Sequence, residues 1–249
     1  MELVILGSGA AFPKGGSQVR NPAGYAAVLD GAILLFDLGF GNLRQLARAG
    51  LGLSRVTDVF LTHRHPDHVG DLSALLFLLR YEVKPKGGRL RIWGPRGVGA
   101  LVSGLRRLYR PWLDPRAYHL DVRELDARTA ARGPGWIVSA CGVPHETRAL
   151  AYRLLYKGRT LVYSGDTGFS PELAEFAADS DLFVIECTTS ESGRMQGHLT
   201  PKLALATIAA SGSKRAVLSH LSPASERQAR GLAKPKGVVL ARDLMRLIV

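Results

Sequence analysis

The sequence predicts an α/β protein in which two mixed β-sheets pack face to face and helices cover their outer sides. Short strand-like apolar runs alternate with helix-like runs along the 249 residues. Two turn signals, Asp30-Gly31 and Lys157-Gly158, separate pairs of strand-like runs and indicate hairpins. His, Asp or Glu residues stand repeatedly where a strand ends, so one edge of the sheets is expected to carry the chemistry.

In the first half of the chain, strands are expected where apolar residues run together over a short stretch, and helices where leucines recur at three- and four-residue intervals. Residues 12–24 hold three Pro/Gly clusters and predict a long surface loop beside the site. In one helix the pair Arg106-Arg107 lies opposite an apolar stripe of Leu101, Leu105 and Leu108. The strands are expected at 3–6, 25–29, 32–36, 58–61 and 89–93, and the helices at 42–49, 72–80 and 97–109.

The second half continues the same alternation. Its clearest helix is expected to have Thr200 as its cap, Pro201 as its first residue and Gly212 as its stop. His119 stands alone in a strand-like Tyr-His-Leu and is expected to be structural. The strands are expected at 136–141, 151–155, 160–163, 181–186 and 216–218, with the last ones inside 238–249.

The composition is that of a soluble globular protein, with 46% hydrophobic and 22% charged residues. One domain over residues 1–249 is the expectation for this length. The opening Met1 to Gly7 indicates a first strand and not a signal peptide, and no apolar run is long enough to span a membrane. With only Cys141 and Cys187, both expected to be core thiols, we expect a cytoplasmic protein without a disulfide framework.

The formal net charge of +12 is concentrated in two segments. Residues 80–132 hold thirteen Lys and Arg against five acids, and residues 214–246 hold eight against two. A positive field of this kind attracts polyanions such as nucleic acid or phosphate-bearing small molecules. The alternative is that an arginine-rich composition places arginine on solvated faces, and 25 Arg against 8 Lys is consistent with it.

The richest stretch, residues 62–71, follows a strand-like run and precedes a helix. In an extended segment His63 and His65 point the same way and can share one metal ion. Asp67 and His68 follow where the chain turns, so they face a different point, and two adjacent metals are the natural result. Imidazole and carboxylate suit zinc, with manganese or iron as alternatives. The alternative without a metal is a solvated His-rich turn or a helix cap by Asp67.

Further residues of the same chemistry stand at other strand ends. Asp166 lies between two glycines and could approach a metal pair or cap a turn; with the His cluster upstream, the ligand interpretation is favoured. Asp37 could orient a metal ligand or satisfy backbone donors. His145, Glu186 and His220 occupy equivalent strand ends.

This ordered set resembles the metallo-β-lactamase superfamily, and the resemblance covers essentially the whole chain. It comprises Asp37, His63-x-His65-x-Asp67-His68, His145, Asp166 and His220. The resemblance implies a four-layer αββα sandwich of two mixed sheets with outer helices. It also implies two zinc ions, one held by His63, His65 and His145, the other by Asp67, His68 and His220, with Asp166 bridging them.

Within the superfamily, the chain resembles the branch of ribonuclease Z and its phosphodiesterase relatives. The motifs that carry this are Leu6-Gly7-Ser8-Gly9 with Phe12-Pro13 and Arg20-Asn21, Ile185-Glu186-Cys187-Thr188, Gly197-His198-Leu199-Thr200, and Ala241-Arg242-Asp243. The resemblance implies that His198, supported by Glu186, protonates the leaving oxygen. The catalytic candidates are therefore Asp67, His198 and Glu186.

Two departures from the ribonuclease Z pattern bear on the substrate. Only 21 positions separate His145 from Asp166, where arm-bearing ribonucleases Z insert their tRNA-gripping arm. After His220 the chain has Leu221-Ser222-Pro223, without the aromatic residue and arginine expected of tRNA-processing enzymes. Both departures favour a smaller phosphodiester or nucleotide as the substrate.

The leading hypothesis is a dinuclear metal-dependent phosphodiesterase without membrane attachment. The first alternative is a ribonuclease Z-type tRNA 3′-end endonuclease acting on RNA. Further alternatives are a thioesterase, lactonase or arylsulfatase with the same metals, or a nucleic-acid-binding protein with a vestigial metal site. A homodimer is the assembly suggested by the resemblance.

Overall fold

A computed structural model describes residues 1–10 and 20–249. The first of its two seven-stranded sheets combines an antiparallel part with a parallel part. Its strands, in spatial order, are β14 (Arg246–Ile248), β1 (Glu2–Gly7), β2 (Gly24–Val28), β3 (Ile33–Leu38), β4 (Val56–Phe60), β5 (Arg89–Gly94) and β6 (His119–Glu124). Strands β3 to β6 are parallel, so their C-terminal ends lie at one edge.

The second sheet is also mixed, with parallel pairing from β10 to β13 and antiparallel pairing from β7 to β10. Its spatial order is β13 (Val238–Leu240), β12 (Ala216–Ser219), β11 (Leu182–Glu186), β10 (Arg159–Tyr163), β9 (Ala149–Tyr156), β8 (Trp136–Val143) and β7 (Ala130–Gly133). The helices are α1 (Asn42–Arg48), α2 (Pro66–Val69), α3 (Leu72–Tyr81), α4 (Val98–Leu108), α5 (Pro171–Phe176), α6 (Pro201–Ser211) and α7 (Pro223–Gly231).

The alternation of side chains along each strand divides the core into layers. In β3, Leu34 and Phe36 enter the cluster shared by the two sheets, while Ile33 and Leu35 enter the cluster beneath the outer helices. Both faces of the central strands are therefore buried, which explains why they are apolar without interruption. The predicted two-sheet sandwich with outer helices is confirmed.

Capping residues and the spacing of leucines correctly predicted several elements. The Thr200 hydroxyl accepts a hydrogen bond from the Leu203 amide, Pro201 begins α6, and Gly212 ends it at a φ of 62°. The buried residues of α3 recur at helical spacing: Leu72, Leu75, Leu76 and Leu79. No helix in the described ranges is long and apolar enough to cross a bilayer.

Other features differ from the prediction. Leu108 is 73% exposed, because α4 buries Val98 and Val102 instead. Cys187 is buried as expected, but Cys141 is only partly buried. Strand β7 and helices α5 and α7 were not predicted. The loop expected at 12–24 falls largely outside the described residues; within it, Arg20 is buried and Gly24 begins β2.

Candidate metal centre

The structure brings the predicted polar side chains together at one edge of the sandwich. The first sheet supplies the loop and short helix α2 that follow β4, and with them His63, His65, Asp67 and His68. The second sheet supplies the residues that follow β8, β10 and β12: His145, Asp166 and His220. These seven side chains form groups of donor atoms that lie within 4.8 Å of one another. His119 is exposed on β6 and belongs to none of these groups of described residues.

One group consists of His63, His65, His145 and Asp166. His65 Nδ1 and His145 Nε2 are 3.3 Å apart, and His63 Nε2 lies 3.8 Å from Asp166 Oδ2. Atoms bound at about 2.0–2.1 Å to one tetrahedral Zn²⁺ lie about 3.3–3.4 Å apart. The spacing therefore suits a shared cation.

A second group lies beside the first and consists of Asp67, His68 and His220. Its imidazoles face each other, with 3.2 Å between the two Nε2 atoms. Asp67 Oδ2 is 3.7 Å from His68 Nε2 and 3.5 Å from His220 Nε2. Asp166 reaches this group too, since its Oδ2 lies 3.3 Å from His68 Nε2. The Asp166 carboxylate thus lies between the two donor groups.

Most of the imidazoles are oriented by a hydrogen bond at Nδ1, which leaves Nε2 for the centre. The Nδ1 partners are the Thr62 hydroxyl for His63 (3.0 Å), the Gly197 carbonyl for His145 (2.9 Å) and the Thr188 hydroxyl for His220 (2.8 Å). His65 is the exception, because its Nδ1 faces His145. Protein hydrogen bonds therefore fix the orientation of these three rings.

Asp37 performs both roles that the sequence left open. Its fully buried carboxylate accepts hydrogen bonds from the Thr62 amide and hydroxyl, at 2.7 and 2.8 Å. It also lies 2.7 Å from His68 Nδ1 and accepts a 2.7 Å bond from the Tyr163 hydroxyl. The residue has a φ of 55°, a left-handed conformation that Asp tolerates better than most residues. It therefore links β3 to the His cluster and to the second sheet.

Glu186 connects several loops of the second sheet to His198 through hydrogen bonds. This buried carboxylate accepts hydrogen bonds from the backbone amides of Thr167, Thr188 and Leu199. Its Oε1 lies 2.8 Å from His198 Nδ1. A ring nitrogen of His198 also lies within 4.8 Å of donor atoms of Asp166 and His220. Burial alone would lower the pKa of His198, but the hydrogen bond and charge of Glu186 raise it above the usual value.

Two atoms in the centre show that these residues fit a metal. His63 Nε2 and Asp166 Oδ1 are buried, and neither has a hydrogen-bond partner among the described residues. Burial lowers the pKa of His63, so the ring is neutral and Nε2 carries a free lone pair. Buried polar atoms without partners are costly unless a bound group satisfies them. Imidazole nitrogens and carboxylate oxygens are the donors that zinc and similar divalent cations take.

A cavity of about 840 Å³ opens onto this centre. Its lining includes Asp67, Asp166, His198 and His220, together with residues of α7 and of the segment 188–195. This volume is within the range of about 300–1,000 Å³ that is usual for small-molecule sites.

A model of the family described as "Beta-lactamase superfamily domain" matches residues 33–221, which include every residue of both donor groups. The chain belongs to the metallo-β-lactamase superfamily. The protein is a metal-dependent hydrolase, and the two groups described above have the donor atoms that a metal ion needs. The predicted superfamily and hydrolase class are confirmed.

Similar proteins indicate the branch of the superfamily to which this chain belongs. Ribonuclease Z of Mycobacterium avium (strain 104) is 31% identical over 280 aligned positions, which cover 100% of this chain and 98% of that protein. The human tRNase Z short form has a similar fold, with a TM-score of 0.80, 24% identity and coverage of 100% and 99%. A diphosphatase of the PhnP family has a TM-score of 0.78, 19% identity and coverage of 100% and 97%. The predicted ribonuclease Z and phosphodiesterase-like branch is confirmed.

Sequence reasoning missed the partners that orient the imidazoles. Thr62 and Thr188 each lie two residues after the end of a strand, and Thr62 also precedes the predicted ligand His63, which was the available signal. The Gly197 carbonyl had no signal, because its contact with His145 spans 52 residues. Arg227 was also missed, although it lines the cavity.

Proposed function

We propose that this chain is one hydrolase domain over residues 1–249 that binds two Zn²⁺ ions and cleaves nucleotides or other small phosphodiesters. His63, His65 and His145 would hold one ion, and Asp67, His68 and His220 the other, with Asp166 shared between them. Mn²⁺ or Fe²⁺ would suit the same donors. Bound divalent cations supply positive charge against phosphoryl oxygens and make water available as a nucleophile near neutral pH.

The observation that carries the proposal is the pair formed by His198 and Glu186. A departing alkoxide needs a proton, and a His held by a carboxylate supplies one near neutral pH. Glu186 holds Nδ1 of His198 at 2.8 Å, which directs Nε2 away from the carboxylate and makes it the proton donor. Asp67 lines the same cavity and would accept a hydrogen bond from the attacking water. A thioesterase or lactonase has no evident use for this His198 pair.

A small substrate is supported by the segment between His145 and Asp166. It consists of β9 and β10 joined through Lys157-Gly158, so no arm extends from it. The cavity volume suits a nucleotide-sized ligand.

The second candidate is an endonuclease that cleaves at the 3′ end of tRNA. It is favoured by the 31% identity over the full chain with a protein named ribonuclease Z, and by the net charge of +12. A panel of cyclic nucleotides, dinucleoside phosphates and precursor tRNA discriminates between the two candidates.

The central test uses purified protein loaded with Zn²⁺ or Mn²⁺ and bis(p-nitrophenyl) phosphate. We expect hydrolysis by the wild type and none by Asp166→Ala, because that substitution removes the shared carboxylate. Undiminished activity in the variant would show the assignment to be wrong.

The role of His198 is tested by comparing leaving groups. His198→Ala should slow a dinucleoside phosphate far more than the aryl ester, because p-nitrophenolate leaves without protonation. His119→Ala is the matched control, since this imidazole is exposed on β6. Equal slowing of both substrates would contradict the proton-donor role.

A further inference from the structure

One wall of the active-site cavity is formed by α7 and carries a single cation. Pro223, Ala224 and Arg227 of this wall line the cavity. Among the described residues, Arg227 is the only lysine or arginine that does so. Asp67 and Asp166 belong to the metal centre, which leaves Glu146 and Arg227 as the remaining charged side chains of the lining.

The other faces of α7 are fixed by specific contacts. The Ser225 hydroxyl donates to the Cys187 carbonyl at 2.6 Å, and Gln228 Oε1 accepts from the Glu191 amide at 2.9 Å. Glu226 accepts from the buried Arg20 at 2.7 Å. These contacts hold the helix to the segment that follows β11 and to Arg20 near the start of the chain. The position of Arg227 over the cavity is therefore set by its neighbours.

The guanidinium of Arg227 has no partner in the described ranges 1–10 and 20–249. It takes part in no hydrogen bond and no ion pair there, Glu146 included. Residues 11–19 contain no Asp or Glu, so they offer it no carboxylate. Arg230, one turn further along, differs because it pairs with Glu226. An arginine presents a planar fork of donors that matches phosphate oxygens.

We propose that Arg227 forms an anion subsite that binds a second phosphate of the substrate while the metal centre holds the first. The substrate class is then a phosphodiester that carries another phosphate group, such as an oligonucleotide end or a phosphorylated nucleotide ester. This proposal rests on the proposed function, because the metal centre must receive a phosphoryl group. Arg227 is a specificity-determining residue at a distance from the reacting bond.

The experiment measures binding to the zinc-loaded enzyme by calorimetry. The probes are thymidine 3′,5′-bisphosphate and the two thymidine monophosphates, none of which contains a diester bond. We expect the wild type to bind the bisphosphate about tenfold more tightly than either monophosphate, because one charge-assisted contact is added. Arg227→Ala should reduce this ratio to about one, and Arg227→Lys should retain part of it.

Controls separate the subsite from general charge and from catalysis. Arg230→Ala removes a cation from the same helix outside the cavity and should keep the tenfold ratio. Arg230→Ala should also hydrolyse bis(p-nitrophenyl) phosphate at the wild-type rate, because this guanidinium pairs with Glu226 and does not line the cavity. Equal binding of the three probes by the wild type, or an unchanged ratio in Arg227→Ala, overturns the subsite.

The same measurements keep the two proposals apart. A wild type that leaves bis(p-nitrophenyl) phosphate intact but shows an Arg227-dependent ratio refutes the diesterase function and supports the subsite. A wild type that hydrolyses the ester and binds all probes equally refutes the subsite alone. Loss of the ratio in Arg230→Ala would also refute it, since the preference would then reflect overall charge.

Discussion

Asp37→Asn is expected to destabilise the protein and weaken its metal binding, although the two side chains have the same shape. The carboxylate has no exposed surface and receives four hydrogen bonds, one at Oδ1 and three at Oδ2. Asparagine tolerates the left-handed conformation of this position about as well as aspartate. The substitution therefore tests the hydrogen bonds without adding backbone strain.

The size of the effect follows from the number of acceptors lost. If the amide oxygen of the introduced asparagine takes the Oδ2 position, three bonds remain and its NH₂ group meets the Thr62 N–H. The opposite orientation loses three bonds. The better orientation loses one bond to a charged group, about 1.5–3 kcal/mol, and leaves a buried donor unpaired. A total near 3 kcal/mol corresponds to a fall in Tm of about 6–12 °C for a chain of this length.

Metal affinity should fall as well, because His68 Nδ1 then donates to a neutral amide oxygen and no longer to a carboxylate, which makes the imidazole a weaker ligand. Mutation of such a partner typically weakens metal binding about 10–100-fold. Chelator competition measures this change in zinc affinity, and calorimetry measures Tm for the metal-free and zinc-loaded proteins. Asp30→Asn is the matched control, because its carboxylate is exposed in a hairpin turn and should leave both values unchanged. Wild-type Tm and zinc affinity in Asp37→Asn would refute the argument.

Two further predictions concern metal removal and pH. Chelation of the bound metal should lower Tm. Zinc added back at about 100 times its dissociation constant should raise the free energy of unfolding by about 2.7 kcal/mol and Tm by about 5–11 °C, as measured by calorimetry. An unchanged Tm would mean that His63 and Asp166 hold no ion. The hydrogen bond from Arg20 holds the pKa of Glu226 below its usual value, despite burial that raises it. Its contribution to stability is therefore present above the unfolded pKa and is lost as pH falls through the folded pKa. Urea unfolding of the metal-free proteins should show wild type more stable than Glu226→Gln at pH 7, and this difference should shrink as the pH falls through the folded pKa of Glu226. A difference that stays constant with pH would contradict the assignment.

The elements that could be predicted from the sequence are those marked by residues close together in the chain. The central strands are buried on both faces, so their apolar runs are unbroken and easy to locate. The ends of helix α6 are marked in the sequence by Thr200, Pro201 and Gly212. Helix α7 has a similar start signal in Ser222 and Pro223, but it buries only Ser225 and Ala229 and is held by polar contacts with distant segments. Such contacts leave no periodicity in the sequence.

More of the site than of the fold could be predicted, because a cluster of His and Asp residues at strand ends has few structural roles other than binding a metal. The spacing of His63, His65 and His68 already indicated two facing directions, and the structure places them in two adjoining groups. The outer partners could not be predicted in the same way. Thr188 lies 32 residues from His220, and the two meet only because β11 and β12 are neighbours in the sheet. Predicting such pairs requires the topology first.

The origin of the metal donors in both sheets has a consequence for how the protein assembles. Residues 1–124 contain His63, His65, Asp67 and His68, while His145, Asp166 and His220 lie in the later part of the chain. Strand β14 then returns from the C-terminal part to the edge of the first sheet. Neither half contains the complete set of donors, so binding of the proposed ions and docking of the two sheets would be thermodynamically coupled. A metal ion supplied during synthesis would then stabilise the fold as well as serve the reaction.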